Sequence, residues 1–316
     1  MNQTNQPSSQ MLQKVKGKLR KIVTASKDLF PLSPDLPLPS GVTEQQLFNF
    51  LQSVRVADAP PQEMINYCTH DFRRFVYTYG LTQSLTGNCL ELGANPYFTT
   101  FLLREFTELD LTLANYFGSD FDSTVVQKVN YQDFTSHQTQ AIELKSHHFN
   151  IESDQFPFPD KQFNVVLFCE IIEHLLMDPV AVLKQIKRIL KPQGSLILTT
   201  PNVSRLENVV RMITGENIYD PYSGYDPYGR HNREYNKHEL YLLLTHLGFE
   251  VQTIFTADVH PHHPNTYASG FKLKSFLNHR KEDLGQYIFL RATNTKPAKE
   301  KKPAFLYRSY PADELE

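Results

Sequence analysis

Apolar positions follow two different periods along this chain. Between residues 44 and 80 they recur every three to four residues, as in LFNFL and MINYCTHDFRRFVYTYG, which predicts two N-terminal helices. From residue 88 onward, short runs of consecutive apolar residues alternate with helical segments. Such runs are typical of strands that are covered on both faces. The alternation predicts an α/β fold with a mostly parallel, doubly wound sheet and helices on both faces.

The predicted strands and helices can be read directly from this pattern. The strands are NCLEL, LTLANYF, NVVLFCE, SLILTT and FEVQTIFT, and the helices between them are YFTTFLLREF, PVAVLKQIKRILK and KHELYLLLTHLG. Residues 123–152 break the alternation, because VVQKV and AIELKSHHFNI have no helical period. We expect extra strands or a long excursion there, in place of one crossover helix.

The same pattern divides the chain into a domain with appendages. We expect a flexible polar tail at 1–42, helices packed on the domain at 43–80, a domain at 81–294 with a loop insertion at 203–236, and a charged tail at 295–316. Removing residues 1–40 should leave the domain and its ligand affinity unchanged, because this segment offers little to bury. FLYRSY near the C-terminus is expected to dock on the domain through Phe305, Leu306 and Tyr307.

Composition limits the partners and the compartment. The 316 residues are 40% hydrophobic and 21% charged with a net charge of -2, which argues against a nucleic-acid partner. No apolar run reaches the roughly 18 residues that span a bilayer, and MNQTNQPSSQ is no secretory signal, so a cytoplasmic location is expected. The basic segment 11–23 could rest on an anionic membrane, although a frayed tail is favoured. Cys68, Cys89 and Cys169 have no metal or disulfide spacing and are expected to be reduced packing residues.

Candidate chemistry follows the ends of two predicted strands, where sheets of this kind bind ligands. After NCLEL, Gly93 supplies a tight turn, and Asn95 and Pro96 stand where a helix N-cap and first helical residue belong. With one glycine instead of GxGxxG, this loop disfavours a nicotinamide dinucleotide. After NVVLF comes CEIIEHL, whose Glu170, Glu173 and His174 would share one face if a helix started there.

Four segments, ELGANP, FPFPDKQFNVVLFCEIIEHL, LKPQGSLILTTPN and LGFEV, resemble the class I S-adenosylmethionine-dependent methyltransferases in order and spacing. The resemblance covers roughly residues 64–293 and implies a Rossmann-like fold, S-adenosylmethionine as cofactor and methyl transfer as reaction. GENIYDPYSGYDPYGRHNREYNKHEL is similar to bacterial members found among genes for glycans and cell-surface polysaccharides. A catalytically silent protein with this fold is one alternative, because the glycine loop is degenerate.

The resemblance also implies the cofactor contacts. Glu91 and Gly93 match the first cofactor motif, and Asn115 stands where an acid usually binds the ribose hydroxyls. Glu152 matches the acid that holds the adenine amino group, with Asn150 as a near competitor. The expected cofactor-binding residues are Glu91, Gly93, Asn95, Asn115, Glu152 and Glu170.

Methyl transfer is an in-line displacement, so the acceptor must be aligned and deprotonated. ExxEH followed by a distant His is similar to the small-RNA 2′-O-methyltransferases, whose four matching residues hold a divalent ion. Here these are Glu170, Glu173, His174 and His231, a ligand set that suits Mn, Fe, Co or Zn. His174, Glu170 and His231 are the candidate catalytic residues, and His174 acting directly as base without a metal is the alternative.

YDPY occurs twice in the segment YDPYSGYDPYGR, and tyrosine faces with carboxylates suit a polyhydroxylated ring. A surface loop with packed tyrosines is the competing interpretation. The residues concerned are Tyr219, Asp220, Tyr222, Tyr225, Asp226 and Tyr228. We expect O-methylation of a sugar, a glycan precursor or another small polar acceptor, with RNA-end 2′-O-methylation as a further alternative. HPHHP at 260–264 looks like a metal-binding tract, but its prolines and the lack of an acidic partner favour an exposed turn.

Overall fold

The structure, a computed structural model, describes residues 30–224 and 227–316. Its strands are β1 (Arg55–Val56), β2 (Thr86–Leu92), β3 (Glu108–Asn115), β4 (Thr124–Gln132), β5 (Thr139–His148), β6 (Phe163–Cys169), β7 (Leu190–Pro201), β8 (Phe249–Ala257) and β9 (Tyr287–Asn294). Its α-helices are α1 (Glu44–Gln52), α2 (Pro61–Thr82), α3 (Phe98–Phe106), α4 (Pro179–Ile189), α5 (Leu206–Thr214), α6 (Lys237–His246), α7 (Pro264–Lys272) and α8 (Lys274–Leu277). In this part of the chain, no helix combines the length and the apolar character needed to cross a bilayer.

The strands form one sheet in the order β1-β4-β5-β3-β2-β6-β7-β9-β8. The five central strands, from β5 to β7, are parallel to one another. Antiparallel strands extend the sheet at both edges. The predicted α/β fold is confirmed, with its parallel part at the centre. The chain leaves β2 toward β3 on one side and returns to β6 on the other, so the crevice that binds ligands in such sheets lies beyond the end of β2.

Alternate residues of the central strands pack on opposite faces of the sheet. Val165 and Leu167 belong to an apolar cluster with α1, α2 and α3, whereas Val166 and Phe168 belong to a second cluster with α4 and α6. All four side chains are at most 1% exposed. Burial on both faces explains why this strand is continuously apolar, as the sequence predicted.

Residues 123–152 contain the extra strands that the irregular pattern predicted. β4 and β5 form an antiparallel pair that runs from Thr124 opposite His147 to Gln132 opposite Thr139. In the described chain no helix lies between β3 and β5, so the crossover helix is indeed missing. The pattern did not predict β9, which lies antiparallel between β7 and β8.

The prediction of a flexible tail up to residue 42 is wrong for residues 30–42. Phe30 is 2% exposed, and the hydroxyl of Tyr77 on α2 donates a hydrogen bond to the carbonyl oxygen of Pro34 at 2.6 Å. Removing residues 1–40 would therefore break packed contacts, contrary to expectation. Residues 1–29, which include the basic segment, lie outside the described residues.

The C-terminal segment docks on α4. The hydroxyl of Tyr307 donates to a carboxylate oxygen of Asp178 and accepts a hydrogen bond from the backbone N–H of Val180 at 3.3 Å. Leu306 packs against the cluster that contains α4 and α6, whereas Phe305 is 46% exposed. The predicted docking is confirmed for Leu306 and Tyr307. The three cysteines are unpaired, two buried and one half-buried, as predicted.

Candidate active site

A cavity of about 210 Å³, termed the sheet-edge cavity, opens where β2, β3 and β6 end. Its lining includes Gly93 after β2, Asn115 and Tyr116 at the end of β3, and Glu170 and His174 after β6. Three strands contribute because the carboxyl ends of parallel strands meet at one edge of the sheet. The cavity therefore lies where the sequence predicted a ligand.

Gly93 forms one wall of this cavity. Its φ of +67° lies in the left-handed region, and its N–H donates to the carbonyl oxygen of Ala114 at 2.8 Å. A Cβ atom here would lie 3.1 Å from Cδ1 of Ile171, which also lines the cavity. Glycine takes this conformation without strain, and its missing side chain leaves space that a ligand can occupy.

The loop after Gly93 differs from the predicted helix start. Helix α3 begins at Phe98 and not at Pro96, so Asn95 is not its N-cap. Instead, the N–H of Asn95 donates to Oδ1 of Asn115 at 2.8 Å, and its side-chain amide donates to Oε1 of Gln127 at 3.1 Å. Asn115 therefore lines the cavity and at the same time holds the loop against β3.

Two acids that were expected to bind cofactor are absent from the described residues that line the cavity. Glu91 is buried and accepts a hydrogen bond from Thr100 Oγ1 at 2.6 Å, and burial raises the pKa of Glu91 to about 8. The carboxylate of Glu152 accepts hydrogen bonds of 2.9 to 3.1 Å from the backbone N–H groups of residues 176 and 177. Asn150, the competitor of Glu152, does line the cavity.

Glu170 follows β6 in the left-handed conformation, with a φ of +54°. Its Oε1 accepts a hydrogen bond of 2.7 Å from Oγ1 of Thr199 at the end of β7. Burial raises the pKa of Glu170, and the positive charge of the buried Arg74 on α2 opposes this shift. The positive charge of a residue on α2 therefore influences the protonation of a carboxyl group that lines the cavity.

A single 3-10 turn, Ile172–His174, follows Glu170 where an α-helix was considered. Within it, Glu173 is fully buried and its Oε2 accepts a hydrogen bond of 2.9 Å from Oγ1 of Thr200. Its Oε1 has no hydrogen-bond partner among the described residues. Burial raises the pKa of Glu173 well above its ordinary value, and the negative charge of Glu170 adds to the shift.

His174 and His231 lie beside this carboxyl group, with ring centroids 5.1 Å apart. Nδ1 of His174 lies 2.9 Å from the carbonyl oxygen of Arg230, so this nitrogen donates and carries the proton. Nδ1 of His231 lies 3.0 Å from Oε1 of Glu234. Burial and the charge of His231 lower the pKa of His174. Burial also acts to lower the pKa of His231, but Glu234 outweighs it and raises that pKa.

These contacts define a three-residue group, termed the imidazole cluster: Glu173, His174 and His231, each of which offers a ligand atom within 4.8 Å of the others. Glu170, the fourth predicted metal ligand, is not part of this group and bonds to Thr199 instead. One carboxylate and two imidazoles form a common transition-metal ligand set that leaves coordination positions open. Partners such as Glu234 on the second ring nitrogen orient imidazoles that bind metals.

Two clefts meet at His231. The outer cleft, about 600 Å³, is lined by Tyr219, Asp220 and His231 among others. The inner cleft, about 220 Å³, lies between the end of β7, α5 and the start of β9, and includes His231 and Tyr287. The imidazole cluster therefore contacts the sheet-edge cavity through His174 and both clefts through His231.

The residues of the YDPY repeat are dispersed over these surfaces. Tyr219 and Asp220 line the outer cleft, and Asp220 accepts a hydrogen bond of 3.0 Å from the N–H of His231. Tyr228 lines the sheet-edge cavity. Tyr222 is 89% exposed, and the centroid of its ring lies 4.3 Å from the guanidinium carbon of Arg230. The remaining predicted members, Tyr225 and Asp226, lie outside the described residues.

HPHHP contributes one histidine to a buried ion-pair group that the sequence did not predict. Nδ1 of His262 lies 2.6 Å from Oε1 of Glu207, and its Nε2 lies 3.0 Å from Oδ2 of Asp258. Burial opposes protonation, yet the two carboxylates raise the pKa of His262 to about 10. The prediction of an exposed turn without an acidic partner is wrong for His262. Asp258 lies only four residues before it in the chain, whereas Glu207 is 55 residues away and could not be recognised from local sequence.

The stability that His262 contributes is expected to fall as the pH rises. Its folded-state pKa of about 10 exceeds its ordinary value of 6.5, so protonation stabilises the fold fully below pH 6.5 and no longer above about pH 10. The difference in unfolding free energy between the natural protein and His262→Gln should narrow by up to about 1.4 kcal/mol per pH unit across this window. Denaturant titrations at several pH values measure it. The control is His263→Gln, a substitution of the neighbouring exposed histidine. A difference in unfolding free energy that does not change with pH would contradict the raised pKa of His262.

The sheet topology and the sheet-edge cavity define a class I S-adenosylmethionine-dependent methyltransferase. The chain belongs to a family described as a methyltransferase domain, whose sequence profile matches residues 63–254. No curated protein matches the chain at a significant level. The side-chain-free wall at Gly93 and the polar lining by Asn115, Asn150 and Glu170 fit this cofactor.

Several solved methyltransferases are similar to the chain. One from Archaeoglobus fulgidus is 15% identical with a TM-score of 0.41, covering 68% of this chain and 89% of its own. A possible histamine N-methyltransferase from Thermotoga maritima is 17% identical with a TM-score of 0.44, covering 74% and 95%. A putative methyltransferase from Haloferax volcanii, solved with the activator Trm112, is 15% identical with a TM-score of 0.45, covering 79% and 98%.

Proposed function

We propose that this methyltransferase transfers the methyl group of S-adenosylmethionine to a hydroxyl oxygen of a sugar, a glycan precursor or another small polar acceptor. The observation that carries the proposal is the position of the imidazole cluster. His174 lines the sheet-edge cavity that fits the cofactor, and His231 lines both clefts that could receive an acceptor. An acceptor hydroxyl near the cluster would therefore lie between a group that takes its proton and the transferable methyl group.

His174 has the properties of the group that takes this proton. Its lowered pKa keeps the ring neutral near pH 7, and the contact with the carbonyl oxygen of Arg230 places the proton on Nδ1. Nε2 is then unprotonated, and its lone pair can accept the hydroxyl proton as the oxygen attacks the methyl carbon. The hydroxyl oxygen forms the new C–O bond, and the C–S bond of the sulfonium breaks in line.

The same cluster fits a divalent cation. Oε1 of Glu173 is buried without a hydrogen-bond partner among the described residues, and such an atom needs a partner. The second ring nitrogens of His174 and His231 already have oriented oxygen partners. An ion held by these three side chains would lower the pKa of an acceptor hydroxyl. The ligand set favours Mn, Fe, Co or Zn over Mg, which prefers oxygen ligands.

A polyhydroxylated acceptor is favoured by the walls of the outer cleft. Tyr219, Asp220 and Glu239 line it with an aromatic face and carboxylates, which suit stacking and hydroxyl donors respectively. The volume of about 600 Å³ has room for more than one sugar ring. This support concerns the class of acceptor and not its identity.

Metal dependence of methyl transfer tests the role of the cluster. Transfer from labelled S-adenosylmethionine to a panel of sugars and glycan precursors is measured before and after treatment with a chelator, and after adding Mn. We expect chelated protein to bind S-adenosylmethionine normally, to lose transfer, and to recover it with Mn. Full activity in chelator would contradict the metal and leave His174 as a direct base. Failure to bind S-adenosylmethionine would sink the enzymatic proposal itself.

A further inference from the structure

Glu207, on the wall of the inner cleft, has one carboxylate oxygen that the fold leaves unused. Its Oε1 accepts hydrogen bonds from His262 and from the side-chain amide of Gln286 at 2.9 Å, whereas Oε2 is buried with no partner among the described residues. Burial opposes ionisation, but the contacts with His262 lower the pKa of Glu207 to about 2. A carboxylate is therefore present at neutral pH, with a lone pair available to a hydroxyl or ammonium donor.

Two further groups of the inner cleft also lack internal partners. The Tyr287 hydroxyl forms no hydrogen bond among the described residues, although burial and the nearby charge of Glu170 raise its pKa. Arg211, in the last turn of α5, is exposed and forms no ion pair in the described part of the chain. The other arginine of the cleft, Arg205, is already paired with Glu234.

The position of the inner cleft connects these groups to the reaction. His231 and Glu234 belong both to the cleft and to the contacts around the imidazole cluster. Tyr287 lies opposite Pro201 at the end of β7, two residues beyond Thr199, which holds Glu170 in the sheet-edge cavity. A molecule in the inner cleft would thus lie against His231 at one side and near Glu170 at the other.

We propose that the inner cleft binds the acceptor, and that the acceptor is a hydroxylated molecule that also carries an anionic group. The inference rests on the proposed function and names the chemical class of its substrate. Glu207 Oε2 and the Tyr287 hydroxyl bind acceptor hydroxyls, and the guanidinium of Arg211 binds a carboxylate or a phosphate, both of which match its planar donor pattern. The outer cleft then holds the remainder of a longer acceptor.

Titration with three sugars tests the anionic requirement. Glucuronate, glucose 6-phosphate and glucose are titrated into protein saturated with S-adenosylhomocysteine. We expect at least one of the two anionic sugars to bind at least about tenfold more tightly than glucose, because charge-assisted hydrogen bonds are stronger than neutral ones. Tighter binding of glucuronate identifies a carboxylate, and tighter binding of glucose 6-phosphate identifies a phosphate. Equal affinity of all three sugars, or no binding, would overturn the inference.

Two variants with matched controls locate the binding. Arg211→Ala should remove the preference for the anionic sugar. Tyr287→Phe should weaken the binding of all three sugars by about threefold to tenfold. Neither substitution should change the affinity for S-adenosylhomocysteine. The controls are Arg104→Ala, an exposed arginine in the last turn of α3, and Tyr131→Phe on β4. Unchanged sugar affinity in Arg211→Ala and Tyr287→Phe would place the acceptor elsewhere. If the protein binds S-adenosylhomocysteine but no sugar, only this inference is contradicted. If it does not bind S-adenosylhomocysteine, the proposed function is contradicted as well.

Discussion

Replacing Gly93 by valine is expected to weaken S-adenosylmethionine binding by more than about 100-fold in a protein that remains folded. At a φ of +67° a residue with a Cβ atom costs about 1–2 kcal/mol, and a branched side chain adds bulk to the cavity wall. The nearest atom that the new Cβ meets is the flexible end of Ile171, 3.1 Å away, so the core can adjust. The main effect should therefore fall on the ligand.

Calorimetric titration with S-adenosylmethionine, together with thermal unfolding, measures both consequences. Gly41→Val is the matched control, because Gly41 has a φ of +76° and a Cβ atom at this position would have no heavy atom within 4 Å. It should show the same backbone strain without a change in affinity. Gly93→Ala serves as a milder variant if the valine protein fails to fold. Natural affinity in a folded Gly93→Val protein would show that the cofactor binds elsewhere.

Replacing His231 by alanine is expected to lower kcat for methyl transfer by about 10²–10⁴-fold, the range typical of a lost proton-transfer group or bound ion. His231 lies outside the lining of the sheet-edge cavity, so the affinity for S-adenosylmethionine should not change. The pKa of His231 is raised by Glu234, so its protonated ring would lose the ability to bind a metal as the pH falls. Metal-dependent turnover should accordingly decline as the pH falls, starting at a higher pH than the ordinary histidine pKa of 6.5 would give.

Steady-state kinetics of two histidine variants distinguish the metal from a direct base. If the cluster holds an ion, His231→Ala and His174→Ala should both resemble the chelated protein. His279→Ala is the control, since His279 is an exposed histidine that lines neither the sheet-edge cavity nor either cleft and lies outside the cluster. Should His231→Ala retain natural turnover while His174→Ala is inactive, the ion would be excluded from the mechanism and His174 would act alone.

Some of the site could be recognised from sequence because its members are close in the chain. Glu173 and His174 follow a strand whose apolar run is unmistakable, and His231 was matched through a resemblance to other methyltransferases. Glu170 was assigned to the same group through the ExxEH resemblance and on the expectation that an α-helix would place the three residues on one face. The left-handed conformation of Glu170 and the 3-10 turn that follows separate it from Glu173. Local backbone conformation of this kind has no signature in residue spacing.

Hydrogen-bond partners in other elements of the fold decided which acids reach the cavity. Glu91 and Glu152 have the right residue type and the right place in the sequence, yet Thr100 and the backbone at residues 176 and 177 bind their carboxylates. Thr199 and Thr200, which hold Glu170 and Glu173, were not singled out, because a threonine at a strand end carries no distinctive pattern.

The sequence by itself determined the α/β architecture, the missing crossover helix and the burial of the central strands. These features depend on hydrophobic periods and turn residues, which are local and repeat along each element. Only the tertiary structure decided that His262 pairs with Glu207, that residues 30–42 are packed, and that β9 lies between β7 and β8. Each of these depends on a contact between segments far apart in the chain. The energy of such a contact comes from burial and pairing that no local pattern encodes.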